Sequence, residues 1–170
     1  MKKTKTFRKI AYLGIFLAFA MVLSYLENLI PIPIPVPGIK LGLANGCILL
    51  LLYLFGPAEA GGVNALRVVL TALLFTNLYS LFYSLSGAVF SMLVMVLFYR
   101  NKHFSMIGVG MLGGLFHNIG QCVIAFFVTK TTAIFGFLPV LIAAGLLCGF
   151  LTGMLGKILY PRLKKGIILE

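Results

Sequence analysis

The stretch Pro31-Ile-Pro-Ile-Pro-Val-Pro-Gly-Ile-Lys-Leu-Gly-Leu-Ala-Asn45 separates the first two apolar segments of the chain. Its four prolines stand at every second position, and each lacks an amide hydrogen and biases the preceding residue toward extended geometry. The residues between the prolines are apolar, which is not typical of a solvated linker. Irregular backbone near a membrane is tolerated where protein or a water-filled cavity satisfies it. We therefore expect the loop over 31–38 to form a stiff wall or lid of a binding site on one membrane face.

Composition predicts that the whole chain is an integral membrane protein. Of its 170 residues, 61% are hydrophobic and only 10% are charged, which is more apolar surface than a soluble protein of this size buries. The net charge of +11 would suit nucleic acid. However, the basic residues stand mostly at the ends of apolar segments, where they set orientation in the membrane, so we expect no nucleic-acid partner. One domain over residues 1–170 is the natural interpretation.

Six hydrophobic segments predict an all-α fold of six transmembrane helices. We expect helices at residues 7–29, 41–55, 63–76, 106–128 and 138–159, with a break over 56–62. A fourth helix follows a polar and aromatic lead over 77–84 and ends near residue 99. The basic residues at both termini and in the turn after the fourth helix share one side, whereas Lys40 and Lys130 lie on the other. The positive-inside rule then places both termini in the cytoplasm and the proline-rich stretch outside.

The few acidic residues and cysteines argue against metal and redox chemistry. The acids are Glu27, Glu59 and Glu170, and the chain has no aspartate. The three cysteines lie in apolar segments without a C-x-x-C pair, so we interpret them as core residues rather than metal ligands or disulfides. No carboxylate or second histidine is spaced to help His117 hold a metal. We expect neither a metal nor a cofactor.

Arg67 is a candidate ligand-binding residue, because an arginine within a spanning segment costs roughly 2.5–3.5 kcal/mol at the membrane centre and usually has a partner. Asn64 lies one turn before it. The structural alternative is a pair with Glu27, a bond to a helix-end carbonyl, or extension of the side chain to the cytoplasmic surface.

A second polar group lies at mid-depth in the fifth helix. His117 and Gln121 share a helix face, and Asn118 stands beside them. A lone membrane histidine is more often a packing residue, but three neighbouring polar side chains favour a polar cavity. Outward-facing polar and aromatic residues complete the candidate ligand-binding set: Glu27, Lys40, Asn45, Asn77 and Tyr83. Tyr79 and Tyr83 could stack on a flat ligand or could be interfacial aromatics.

Small residues at four-residue spacing mark faces where helices approach closely. Such residues recur in the last two segments, as Gly110, Gly113 and Gly114 and as Gly145, Gly149 and Gly153. They serve either packing within the chain or docking to a partner membrane protein. The first helix is the better candidate for docking, through Ala11, Gly14 and Ala18.

Four parts of the sequence together resemble the membrane family of heptaprenyl diphosphate synthase component I, also called Gx transporter. They are the string Gly38-Ile-Lys-Leu-Gly-Leu-Ala-Asn45, Leu54-Phe-Gly-Pro57, Ala65-Leu-Arg67 and His117-Asn-Ile-Gly-Gln121. That family is similar to the S components of energy-coupling factor (ECF) transporters. The resemblance implies a six-helix subunit in the bacterial plasma membrane that binds a nutrient from outside. It further implies a transmembrane coupling protein and two cytoplasmic ATPases as partners. The docking motif of S components is Ala-x-x-x-Ala, for which this chain has Gly14-x-x-x-Ala18.

We therefore expect capture of a small vitamin-like or anionic molecule, with no enzymatic activity. A prenyl diphosphate synthase needs clustered aspartates to hold magnesium, and ATP hydrolysis needs a G-x-x-x-x-G-K-[ST] loop; the sequence has neither. One alternative is a non-catalytic accessory subunit of prenyl diphosphate or quinone metabolism that binds a prenyl chain. Another is a membrane partner in flavin or quinone electron transfer.

Overall fold

The computed structural model describes residues 2–30 and 40–168. Their helices are α1 (Lys2–Leu29), α2 (Asn45–Leu54), α3 (Pro57–Phe75), α4 (Leu78–Phe98), α5 (Met106–Thr129) and α6 (Leu138–Ile168). A short 3₁₀ helix, Thr132–Phe137, joins α5 to α6. The proline-rich loop over 31–38, predicted to cover the site, lies outside the described residues.

The predicted all-α membrane fold is confirmed. In the described ranges, α1 and α3–α6 are long and apolar enough to cross a membrane. The remaining helix, α2, has ten residues and rises about 15 Å, half the thickness of a bilayer's hydrocarbon core. It contacts all five other α-helices, and residues 45–52 are all buried. A helix that is apolar on every face belongs in the interior, so α2 is the central element of the bundle.

The predicted break over 56–62 is too long. Only Phe55 and Gly56 lie between α2 and α3. Gly56 has a φ of 102°, which is readily adopted only by glycine, and α3 begins at the next residue. Pro57 occupies the first turn, where a proline's missing amide hydrogen costs nothing and its fixed φ suits the helix. Gly61 and Gly62 therefore lie inside α3, and the prediction that they interrupt the helix was wrong.

Residues 78–84 are also helical, rather than a lead into the fourth helix. Asn77 caps α4, because its side-chain oxygen accepts a hydrogen bond of 2.9 Å from the Ser80 amide. A capped start is worth about 1 kcal/mol, so α4 begins at Leu78. At the other end of the chain, α6 continues through Pro161 to Ile168, which places the basic segment after residue 159 on a helix.

Glycine contacts join α5 to α6. A Cβ built on Gly110 would lie 2.6 Å from the Gly149 carbonyl oxygen, and one built on Gly145 would lie 2.6 Å from the Gly114 carbonyl oxygen. No larger residue fits between backbones this close. Of the two roles considered for these glycines, packing within the chain is the one that the structure shows. Cys47, Cys122 and Cys148 are buried and free, as expected.

Candidate functional site

Thirteen polar or charged side chains are buried among the described residues. They come from the first five α-helices and from the segment that leads into α2. They are Ser24, Glu27, Lys40, Asn45, Asn64, Arg67, Thr71, Ser80, Ser84, Ser91, His117, Asn118 and Gln121. We call this set the polar cluster.

Gln121 on α5 holds the backbone of Lys40. Its Oε1 accepts a hydrogen bond of 2.8 Å from the Lys40 amide, and its Nε2 donates one of 3.1 Å to the Lys40 carbonyl oxygen. The same Nε2 lies 2.5 Å from Nε2 of His117. A carboxamide is suited to this pairing because it carries a donor and an acceptor side by side. The segment before α2 is thereby attached to the middle of α5.

Glu27 on α1 holds the same segment from the other side. Its Oε1 accepts hydrogen bonds from the backbone amides of Gly42 and Leu43, the latter at 3.3 Å. Gly42 has a φ of 92°, and a Cβ there would lie 2.9 Å from Asn45 Nδ2 and 3.2 Å from His117 Cδ2. The turn at Gly42 therefore brings Glu27, Asn45 and His117 into one neighbourhood.

Arg67 on α3 is 4% exposed and bonds to neutral groups. Its Nη1 donates a hydrogen bond of 2.8 Å to Ser24 Oγ, and its Nη2 and Nε donate to Asn64 Oδ1 at 2.8 and 3.3 Å. Neither extension to the surface nor an ion pair with Glu27 is seen within the described ranges, where the ion pair shown is between Lys9 and Glu59. The buried guanidinium thus has hydrogen-bond partners but no carboxylate against it.

Unpartnered polar atoms concentrate around His117. Both amide atoms of Asn45 and Nδ1 of His117 are buried without a hydrogen-bond partner in the described structure. A Cβ on Gly87 of α4 would lie 2.8 Å from His117 Nδ1, so the glycine is what admits the imidazole between the helices. Asn118 Nδ2 donates a hydrogen bond of 2.6 Å to the Leu141 carbonyl oxygen, which ties α5 to α6. Buried polar groups without a hydrogen-bond partner are uncommon in folded proteins, so this region differs from an ordinary helix-packing core.

Two of the predicted aromatic and polar residues of α4 lie apart from this cluster. Asn77 is exposed and serves as the helix cap, and Tyr79 is 65% exposed. Tyr83 is buried in a small apolar group with Ile134 and Leu141. The structure thus brings Glu27, Lys40, Asn45, Arg67, His117, Asn118 and Gln121 together, but does not bring Asn77 or Tyr83 into the group.

Sequence reasoning missed Ser24, Thr71 and Ser91 as members of the polar cluster. Thr71 follows Arg67 by four residues, and Ser24 precedes Glu27 by three, so each shares a helix face with a predicted residue. Ser91 stands seven residues after Ser84, again on one face, and the hydroxyls of both lack a partner among the described residues. The spacing of these polar residues at three, four or seven positions within apolar spans could have predicted that they lie on the buried face.

Lys40 is buried, with 6% of its surface exposed. Burial lowers the pKa of its ammonium group to about 8; the Glu27 carboxylate opposes this shift and Arg67 adds to it. About nine-tenths of such a group is protonated at pH 7, so Lys40 contributes a positive charge to the cluster.

The candidate docking residues lie on the outer surface of α1. Ala11, Gly14 and Ala18 are all exposed, and a Cβ on Gly14 would meet nothing within 4 Å. A groove of about 360 Å³ runs beside them between α1 and α3. The Lys9–Glu59 ion pair bridges the two helices at one end of it. The small side chains at these positions leave room for another helix to approach.

Comparisons with known proteins agree with this architecture. The family model of heptaprenyl diphosphate synthase component I matches residues 16–159. A search of curated proteins gives no significant match. Among solved structures, the S component of a bacterial ECF transporter superposes with a TM-score of 0.69, covers 99% of each chain and is 19% identical. The chain therefore has the S-component fold, and its apolar helices confirm the expected multi-pass membrane location.

Proposed function

We propose that this chain, which belongs to the heptaprenyl diphosphate synthase component I family, is a substrate-binding membrane subunit of an ECF-type importer. The observation that carries the proposal is the polar cluster, in which buried amide, imidazole and hydroxyl atoms lack partners within the described residues. A folded protein normally satisfies such atoms, so a bound small molecule is the simplest occupant. The predicted topology would admit it from outside the cell.

The solved structure with the same fold supports this role. It is an S component of a bacterial ECF transporter, and 99% coverage of both chains means that no large element is added or lost. Within that fold, Asn45, His117 and Gln121 would orient the ligand by hydrogen bonds, Asn118 and Glu27 would support them, and Lys40 and Arg67 would supply charge. Asn77, which caps α4, and Tyr83, which packs among apolar side chains, would not contact the ligand directly.

The exposed small residues of α1 support a role in assembly. Ala11, Gly14 and Ala18 would let a helix of a transmembrane coupling protein approach closely. Cytoplasmic ATPases would then drive transport, since the chain itself has no phosphate-binding loop. The bacterial plasma membrane, with both termini in the cytoplasm, is the setting that this assembly requires.

Mass spectrometry of the purified protein tests ligand capture. We expect an organic extract of the detergent-solubilised protein to contain one small molecule at close to equimolar amounts. Asn45→Ala should lose it, because both polar atoms of that side chain are buried and unpartnered. Asn28→Ala, on an exposed position of α1, is the matched control and should retain it. Equal amounts in both variants would contradict the proposed site.

A second candidate function is favoured by a groove of about 250 Å³ between α3 and α4. Its lining is apolar apart from Asn64, and it includes Ala65, Leu85 and Val89. An accessory subunit of prenyl diphosphate or quinone metabolism would use such a groove for an isoprenoid chain. Recovery of a prenyl lipid that is displaced by Val89→Trp, with no effect of Asn45→Ala, would support this alternative over the importer.

A further inference from the structure

The buried charges of the polar cluster do not balance. Its ionisable members are Glu27, Lys40, Arg67 and His117. We count Glu27 as a carboxylate because its Oε1 accepts two backbone amide bonds. His117 is neutral, since its Nε2 lies against the donating amide nitrogen of Gln121. One negative and two positive charges leave an excess of one positive charge.

No other carboxylate among the described residues is free to supply the missing negative charge. Glu59 is paired with Lys9, and residues 31–39 contain no ionisable side chain. An isolated charge away from water is strongly unfavourable unless it is paired. A partner from outside the chain is therefore needed to neutralise the site.

Both cations retain hydrogen-bonding capacity. Among the described residues, Arg67 donates three of its five N–H groups, all to the neutral oxygens of Ser24 and Asn64. The ammonium group of Lys40 forms no hydrogen bond with any described residue, although the backbone of Lys40 is held at two points. The remaining N–H groups of Arg67 and Lys40 are suited to a negatively charged acceptor, because hydrogen bonds between ions are about twice as strong as those between neutral groups.

Both cations lie near Glu27. Arg67 bonds to Ser24, one turn before Glu27 on α1, and Lys40 lies two residues before Gly42, whose amide bonds to the Glu27 carboxylate. Arg67 is close enough to Lys40 to affect its ionisation. The neutral groups of Asn45 and His117 adjoin this region through Gly42.

We infer that the ligand of the proposed importer site is a small organic monoanion, a carboxylate, whose charged group is bound by Lys40 and Arg67 while Asn45 bonds to its neutral part. This inference rests on the proposed function and adds the chemical class of the ligand. A carboxylate carries one negative charge, which equals the excess. A phosphate monoester carries about 1.5 to 2 negative charges at pH 7 and would leave the site negative.

Thermal-shift and binding measurements on the full chain in nanodiscs test the inference with paired probes. The pairs are nicotinate with nicotinamide, pantothenate with panthenol, and biotin with biotinamide; pyridoxal phosphate with pyridoxal is the phosphate arm. We expect a carboxylate to stabilise the protein and its uncharged partner to bind at least tenfold more weakly. Lys40→Gln and Arg67→Gln should each weaken the carboxylate at least tenfold. Lys40→Arg should keep most of the affinity, and Lys130→Gln, at an exposed position, should change nothing.

The outcomes separate this inference from the proposed function. A neutral or phosphorylated probe that binds as well as any carboxylate would overturn the carboxylate inference and leave the importer site standing. So would a neutral molecule found by mass spectrometry in the purified protein and lost in Asn45→Ala. If no probe shifts the melting temperature and no small molecule accompanies the protein, both the function and the inference fail. Binding to Arg67→Gln is compared only if circular dichroism shows that this variant is folded. If it is not folded, the affinity of Lys40→Gln alone decides the outcome.

Discussion

Replacement of Lys40 by methionine should stabilise the unliganded protein. The buried ammonium group has a pKa of about 8 instead of 10.5, which means that the folded state disfavours its charged form. Each pKa unit corresponds to about 1.4 kcal/mol, so the protonated side chain costs roughly 3 kcal/mol relative to an exposed lysine. Methionine preserves most of the apolar stem and removes the charge. We therefore expect Lys40→Met to raise the free energy of unfolding at pH 7 by up to about 3 kcal/mol.

The pH dependence of stability gives an independent measure of the same effect. Between pH 8 and 10.5 the unfolded chain keeps the Lys40 proton and the folded chain has lost it, so stability rises with pH. The rise from pH 7 to 9.5 should be about 2 kcal/mol in the native sequence. This rise should be absent in Lys40→Met. Helix content followed in mixed dodecylmaltoside and dodecyl sulfate micelles at the two pH values would measure both quantities.

Two controls separate charge from packing. Lys130→Met, at an exposed site, should leave stability and its pH dependence unchanged. Glu27→Gln keeps an oxygen for the amides of Gly42 and Leu43 but removes the compensating negative charge, so it should destabilise the protein. If Lys40→Met lowers the free energy of unfolding at pH 7, or retains the full rise in stability to pH 9.5, then the buried charge of Lys40 does not destabilise the unliganded protein and the reasoning is refuted.

Further substitutions test the anchoring of Lys40, the contacts of two glycines and the Lys9–Glu59 ion pair. Gln121→Leu leaves the buried amide and carbonyl of Lys40 unpaired and should cost about 2–4 kcal/mol, which the same micelle titration would detect. Gly114→Leu places a side chain against the α6 backbone and should abolish folding, as judged by circular dichroism. Gly14→Leu meets no neighbouring atom, so this variant should fold normally but no longer co-purify with a coupling protein. Lys9→Glu and Glu59→Lys should each lower stability by less than about 1 kcal/mol, and the double variant should recover it. A double variant as unstable as the sum of the single variants would exclude a specific ion pair.

The helices were predictable from hydrophobic length, but their ends depended on local chemistry that hydropathy does not show. Residues 56–62 were predicted to interrupt the helices because they contain three glycines and a proline. In the structure, Gly56 with its positive φ, followed by Pro57, is enough to start α3. Likewise, Asn77 looked like a ligand-facing amide. Its position directly before an apolar run was also that of a helix cap, and the cap is what the structure shows.

The polar cluster was partly predictable, because a polar residue in an apolar span rarely faces lipid. On that ground, Arg67, His117 and Gln121 were correctly predicted to lie in the interior. Their hydrogen-bond partners were not predictable, since the Gln121–Lys40 backbone pairing joins residues 81 positions apart. The sequence also did not show that Tyr83 packs among apolar side chains rather than in the polar cluster. Such pairings depend on how helices rotate and cross, which a single sequence does not specify.

The unpartnered atoms of the polar cluster make the unliganded protein less stable than an apolar core would, and this cost argues for a binding function. Each unsatisfied buried polar atom costs about 1–3 kcal/mol, and Asn45, His117 and Ser84 all carry atoms that have no partner among the described residues. A purely structural interior would replace them with apolar side chains of similar volume. A ligand that pairs with them recovers the cost only while it is bound. At a ligand concentration of 100 times Kd the folded state would gain about 2.7 kcal/mol, so thermal stability is a sensitive measure of whether this site binds what its charge and hydrogen-bonding groups require.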